Sequence, residues 1–124
     1  MTITGSCHCG KTAFEIDGDT PKTLTRCTCS ICAKRGALYA YYEPSQFRLT
    51  TPAAGVATYR WNTKLVALNF CATCGCTTFN DSPAFQPDGS WDGNTRRIGV
   101  NARLLDNFDA AAAPITVIDG KNLW

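Results

Sequence analysis

Seven of the eight cysteines in this sequence fall into three tight clusters: Cys7-His8-Cys9-Gly10, Cys27-Thr28-Cys29-Ser30-Ile31-Cys32 and Cys71-Ala72-Thr73-Cys74-Gly75. A closed tetrahedral zinc site takes four protein ligands, and a catalytic one commonly takes three and keeps a position open. The counts of two, three and two divide in that way. Cys7 and Cys9 with Cys71 and Cys74 make one closed site, and Cys27, Cys29 and Cys32 make one open site.

Glycine supports this division. Gly10 and Gly75 each follow a cysteine at once, where a turn that wraps a metal often needs positive φ and turns backbone N–H groups towards the sulfurs. Two such turns, distant in sequence, would meet at one ion and tie the N-terminal strand to the middle of the sheet, with the binding energy going into folding. The middle cluster draws three thiols from six consecutive residues. Cys27 and Cys29 lie two apart on an extended segment and share a direction, and Cys32 follows on a short helical turn. An ion capped on one face by these three could take water or a substrate thiol on the other. It would lower the pKa of a bound thiol or polarise a carbonyl.

Other readings of the same thiols stand beside this one. The eight cysteines could pair as disulfides, although their density is below the roughly 8–10% of a secreted disulfide scaffold. Iron or an iron–sulfur cluster also suits thiolates. Cys76, two residues past Cys74, could complete the second site and close it. Its alternative is a small side chain on the strand after the turn, near the first site. His8, the single histidine, sits between two ligands of the closed site and would project away from the metal. Lys34 and Arg35 read as a solvated surface pair, with contact to the carboxylates of an acidic thiol as the alternative.

These clusters need a rigid scaffold, and strand signals dominate. Alternating or aromatic-rich runs over Thr12–Ile16, Leu38–Tyr42, Val56–Trp61, Leu65–Phe70, Thr77–Phe79, Ile98–Val100 and Ile115–Ile118 predict strands. Turn residues separate them, including Pro87-Asp88-Gly89 and Asp119-Gly120. Helix is predicted only as short turns: one N-capped by Ser30 and stopped by Gly36, one over Pro44–Phe47 and one over Ala110–Ala113. The segment from Asn80 to Arg96, rich in Pro, Gly, Asp and Asn, reads as a long loop. Alternation puts Tyr39 and Tyr41 on one strand face and Tyr42 on the other. The expected fold class is mostly β and mostly antiparallel, with residues 1–124 forming one domain.

Composition narrows the partners. At 124 residues and 44% hydrophobic, a core is affordable without disulfides. The opening residues show no basic and apolar leader, and no run approaches the ~20 apolar residues of a membrane span. A cytoplasmic protein with reduced thiols is therefore expected, with no membrane partner. The formal net charge is +2, and its basic residues are scattered rather than gathered on a face, which argues against nucleic acid.

The three motifs, in this order, resemble those of the glutathione-dependent formaldehyde-activating enzyme family, which also includes centromere protein V. The resemblance extends over most of the chain, including Ile98–Val100 and the closing Gly120–Trp124. It implies a β-tent of small antiparallel sheets and two zinc ions per chain. Cys7, Cys9, Cys71 and Cys74 would hold the structural zinc, and Cys27, Cys29 and Cys32 the catalytic one. It also implies a carbon–sulfur lyase that adds a small thiol such as glutathione to an aldehyde such as formaldehyde, or reverses that step. Thr28 departs from the pattern, since members often carry histidine there. The alternative of another class is a zinc-stabilised interaction module with two structural sites.

Overall fold

The structure, a computed structural model, describes residues 1–86 and 88–123. The turn residue Pro87 and the closing Trp124 lie outside the described residues. Among the described residues ten strands run in chain order: β1 (Thr2–Ser6), β2 (Ala13–Asp17), β3 (Leu24–Cys27), β4 (Tyr39–Tyr42), β5 (Phe47–Leu49), β6 (Val56–Tyr59), β7 (Ala67–Cys71), β8 (Thr77–Pro83), β9 (Arg96–Asn101) and β10 (Ile115–Ile118). Two short helices accompany them, α1 (Ser30–Arg35) and α2 (Gly120–Leu123). The mostly β expectation holds. Among the described residues no helix is long and apolar enough to cross a membrane.

The strands form two sheets, one in the order β1-β2-β5 and one in the order β10-β3-β4-β9-β8-β7-β6. All pairings are antiparallel except β10 beside β3, which is parallel. The core lies between the sheets. Ile3, Phe14 and Ile16 come from the smaller sheet, and Leu24, Ala40, Phe79, Ile98 and Val100 from the larger. Phe47 links them, its ring 5.4 Å from Phe14 and 4.6 Å from Phe79. Such ring separations suit tilted aromatic packing. Burying these side chains at about 25 cal/mol per Å² is the main force holding sheet to sheet.

Because side chains alternate across a strand, the core takes only one face of the large sheet. Its other face carries Thr25 and Cys27 on β3, Tyr39 and Tyr41 on β4, Arg97, Gly99 and Asn101 on β9, and Thr78, Asn80 and Ser82 on β8, as the registers Thr25↔Tyr39, Tyr41↔Gly99, Asn80↔Gly99 and Ser82↔Arg97 require. Asn80, Asn101, Thr78 and Ser82 are all buried there. One sheet therefore separates an apolar core from a buried polar face.

Several sequence expectations are corrected. The loop expected from Asn80 to Arg96 is shorter, because β8 runs to Pro83 and β9 begins at Arg96. Strand β8 continues through Asn80, Asp81 and Ser82 to Pro83, paired along its length with β9. Low β propensity is overridden here by the ladder and by Arg96, whose Nε donates to Asp81 Oδ1 at 2.8 Å. The sequence reading does not anticipate strands β1, β3 and β5, which are set by their ladders: β1 and β5 flank β2, and β3 lies between β10 and β4. Cys29, not Ser30, occupies the N-cap of α1, with no side-chain cap hydrogen bond. Gly36 ends that helix as expected, at φ +69°. The turns near Pro44 and Ala110 form as single 3₁₀ turns, Pro44–Gln46 and Ala110–Ala112.

Candidate metal centres

The first centre arises where two hairpin turns meet. The chain leaves β1 into Cys7, and Thr12 closes the turn, its carbonyl accepting from Cys7 N–H at 2.9 Å. The chain leaves β7 at Cys71, and Gly75 N–H donates to Cys71 O at 2.9 Å. Gly10 and Gly75 sit at φ +80° and +78°, the left-handed conformation both turns demand. Four thiols converge: Cys7, Cys9, Cys71 and Cys74, all within 4.8 Å of one another. Since β1 belongs to the small sheet and β7 to the large one, this cluster joins sheet to sheet. The expectation that it ties a strand to the middle of one sheet is corrected accordingly.

Its geometry suits zinc. Tetrahedral coordination with bonds of about 2.3 Å sets sulfurs about 3.8 Å apart. Cys7 Sγ and Cys9 Sγ are 3.7 Å apart, and Cys9 Sγ and Cys71 Sγ are 3.6 Å apart. Backbone amides point at the sulfurs: Thr12 N–H at Cys7 (3.3 Å), and Thr73 and Cys74 N–H at Cys71 (3.4 and 3.5 Å). The Cys76 amide and then the Cys9 amide lower the Cys74 thiol to about 5. The Cys74 and Thr73 amides lower Cys71. The Lys11 amide favours a thiolate at Cys9, but desolvation and the neighbouring sulfurs push it up to about 11. Packed sulfurs compete for negative charge, and a bound divalent cation removes that competition.

The second centre is local. Cys27 ends β3, Cys29 caps α1 and Cys32 lies in its first turn. Their sulfurs also lie within 4.8 Å of one another, and no fourth His, Cys or carboxylate atom joins them among the described residues. Cys29 is buried, whereas Cys27 and Cys32 are half-buried, so the cluster keeps an open side. The Cys32 thiol donates towards Cys27, the Cys29 amide follows at 3.4 Å, and together they lower Cys27 to about 5. The same interaction raises Cys32. Thr28 turns elsewhere. Its hydroxyl donates to Asp119 Oδ1 at 2.8 Å and accepts from Lys121 N–H at 3.2 Å. It clamps the start of α2, and the Gly120 amide there also favours a Cys27 thiolate.

Cys76 does not join the three-cysteine cluster. The His8 amide favours its thiolate, but desolvation and the Cys74 sulfur push its thiol up. It therefore sits against the first centre, on the strand side of the turn. His8 is exposed and belongs to neither cluster. Lys34 is exposed as expected of a surface residue. Arg35 is not: Nε donates to Thr77 Oγ1 and Nη2 to Asn69 O, both at 3.1 Å, which draws the guanidinium over β7 and β8.

Around the second centre lies the polar sheet face. Tyr39 and Tyr41 stack at 6.4 Å, and the Arg97 guanidinium lies 3.9 Å from the centre of the Tyr41 ring. Gly99 between them leaves room, since a Cβ there would come within 3.1 Å of Tyr41 Cε1. Tyr39 is only 3% exposed. Burial raises its phenol above the ordinary value; Asn80 and Arg35 oppose that, and the Cys32 and Cys29 sulfurs add to it. A cavity of about 310 Å³ opens where β3 and β4 diverge past their one registered pair, lined by Lys22, Thr23, Thr25, Tyr39 and Tyr41 among others. Asn80 and Arg97 escape the sequence reading as site residues, and Arg35 enters it only as a surface residue or a contact to an acidic thiol, not as one held by Thr77 and Asn69. The alternating polar residues Thr78, Asn80 and Ser82 were the available signal, hidden because the segment read as loop.

Comparison with known proteins identifies the family and a similar fold. The family model described as glutathione-dependent formaldehyde-activating enzyme matches residues 2–116. A Halomonas elongata protein provisionally named glutathione-dependent formaldehyde-activating enzyme is 47% identical over 34 residues, a segment covering 27% of this chain and 22% of that protein's length. A crystal structure of a Rhodobacter sphaeroides protein superposes with a TM-score of 0.71 at 28% identity, covering 91% of this chain and 99% of that one.

Proposed function

The chain belongs to the glutathione-dependent formaldehyde-activating enzyme family, and from that premise we propose that it is a zinc-dependent enzyme of the carbon–sulfur lyase type. It joins glutathione's thiol to formaldehyde to give S-(hydroxymethyl)glutathione, or reverses that step, in a reducing compartment such as the cytoplasm. In this reading Cys7, Cys9, Cys71 and Cys74 hold a structural zinc, and Cys27, Cys29 and Cys32 hold a catalytic one. The observation that carries it is the three-thiol cluster with no fourth ligand atom among the described residues, half-buried and set beside a polar sheet face.

When bound there, zinc supplies a Lewis acid that favours the thiolate of a substrate or polarises an aldehyde carbonyl. The rest falls to the chain. The C–S bond forms as sulfur attacks the carbonyl carbon, the C=O π pair moves onto oxygen, and oxygen gains the proton that the thiol lost. Cys27 and Cys32 leave the approach open, and Cys29 anchors the cluster below the surface. The cavity beside Thr25 and Tyr39 accommodates the remainder of the thiol.

The test is the rate of adduct formation from glutathione and formaldehyde, followed by NMR against the spontaneous rate. The zinc-loaded protein is expected to accelerate it, and Cys29→Ser to lose that acceleration with about one zinc equivalent. No acceleration removes this substrate pair. If Cys29→Ser unfolds the protein as fully as Cys71→Ser does, both metals are structural and the chain is a zinc-stabilised interaction module.

A further inference from the structure

Buried polar atoms in folded proteins nearly always have hydrogen-bond partners, and an orphan asks for an explanation. Five buried side-chain atoms among the described residues have none: Thr12 Oγ1, Arg35 Nη1, Tyr39 Oη, Asn80 Oδ1 and Arg97 Nε. Thr12 belongs to the first centre. Of the other four, Tyr39, Asn80 and Arg97 lie on the polar face of the large sheet, and Arg35 ends the helix that carries Cys32.

Three of them share one neighbourhood. Arg35 follows Cys32 by three residues on α1, which sets both on one helix side. Its Nε and Nη2 are held by Thr77 and Asn69, so Nη1 is fixed in place with its hydrogens free. Tyr39 is within electrostatic reach of Arg35, Cys29, Cys32 and Asn80. Asn80 acts on the phenol through its amide N–H side, which opposes the rise that burial causes, and its Oδ1 is left without a partner. Leaving such groups without partners in the interior is costly, and a fold without use for them would relieve that cost by local rearrangement.

We propose that Arg35, Tyr39 and Asn80 form an oxygen-recognising subsite beside the three-cysteine cluster, shaped for a substrate hydroxyl. Arg35 Nη1 and Tyr39 Oη are donors, and Asn80 Oδ1 is an acceptor. A hydroxyl satisfies all three, because its oxygen has two lone pairs and its hydrogen seeks one acceptor. A carboxylate would face the Asn80 oxygen unfavourably. The subsite rests on the proposed function, where the hydroxyl is that of the hydroxymethyl adduct. In the forming direction the same two donors hold the aldehyde oxygen as it gains charge, as preorganised donors do elsewhere. Neither Tyr39 nor Arg35 surrenders its proton.

The experiment compares two small thiols, 2-mercaptoethanol and 1-propanethiol, which differ by a hydroxyl against a methyl. Each is titrated calorimetrically into the zinc-loaded full chain and into its Tyr39→Phe variant. The hydroxyl thiol is expected to bind about tenfold more tightly to the wild type, the worth of one to two buried hydrogen bonds. Tyr39→Phe is expected to erase that preference and leave 1-propanethiol affinity unchanged. Its melting temperature should equal or exceed that of the wild type, because the hydroxyl removed has no partner in the protein. Equal affinities in the wild type, a preference that survives Tyr39→Phe, or a clear fall in melting temperature each overturn the subsite. If neither thiol binds, the open metal site fails and the subsite fails with it. If both bind with the stated preference while formaldehyde and glutathione are not turned over, the substrate pair is wrong and the subsite stands.

Discussion

Cys9 and Cys71 lie 62 residues apart and meet at 3.6 Å, whereas Cys27, Cys29 and Cys32 come from six consecutive residues. The first cluster closes a long loop between two sheets, so its occupation constrains most of the chain. The second adds little constraint, since a strand end and one helical turn already hold it. Four convergent sulfurs leave a tetrahedral ion no free position, and three leave one. In the proposed reading the same side chain serves cohesion in one region and access in the other. The difference lies in sequence separation and ligand number rather than in the chemistry of sulfur.

The sharpest way to break this comparison is to remove one thiol from each cluster. Structural zinc contributes about 10 kcal/mol or more to folding. Cys71→Ser is expected to abolish cooperative unfolding and near-ultraviolet circular dichroism at 25 °C. Cys29→Ser should retain both and lose one metal equivalent. Equal damage would erase the distinction.

Thiol reactivity separates the clusters next. Once mild chelation has emptied the open cluster, alkylation of Cys27 is expected to follow a thiolate midpoint near pH 5, where the Cys32 thiol holds it. A lowered pKa means the thiolate persists above that pH and is lost below it. The rate should therefore be flat from about pH 6 to 8, instead of climbing towards the ordinary thiol range. Peptide mapping by mass spectrometry across pH reads this. A midpoint above 8 would show that Cys32 does not donate to Cys27.

Backbone strain gives a smaller effect. A Cβ at Gly75 meets nothing within 4 Å, but φ is +78°. Gly75→Ala should cost about 1–2 kcal/mol from conformation alone, and Gly75→Asn less. Thermal melts of the two variants compare them. Equal costs would point to a contact rather than to φ.

Arg48 touches neither cluster and sets the baseline. It donates to Glu15 at 2.6 Å and to Asp17 at 3.0 Å on an exposed strand pair. The Arg48 hydrogen bond lowers the Asp17 carboxyl. A lowered carboxyl contributes stability above its ordinary pKa of about 4 and loses it as pH falls through the lowered value. Arg48→Ala should therefore lower the melting temperature by no more than roughly 3 °C at pH 7. The difference should vanish under acid, below the lowered pKa. A loss rivalling that of Cys71→Ser would mean that stability does not centre on the four-thiol cluster.

Residue spacing alone determined the thiol groupings, the glycines that turn around the first of them, the dominance of strands and the shared face of Tyr39 and Tyr41. Those features depend on local geometry: period two in strands, positive φ after a turn, and ligand count. Tertiary structure decided what joins what. That the four-thiol cluster bridges two sheets, that β10 runs parallel to β3, that Arg35 leaves the surface and that Asn80 faces Tyr39 all depend on register between distant strands. A strand displaced by one residue would turn Asn80 into the core and Phe79 towards the cysteines. Burial of Ile98, Val100 and Phe79 against the smaller sheet selects the register that keeps the polar residues beside the open cluster.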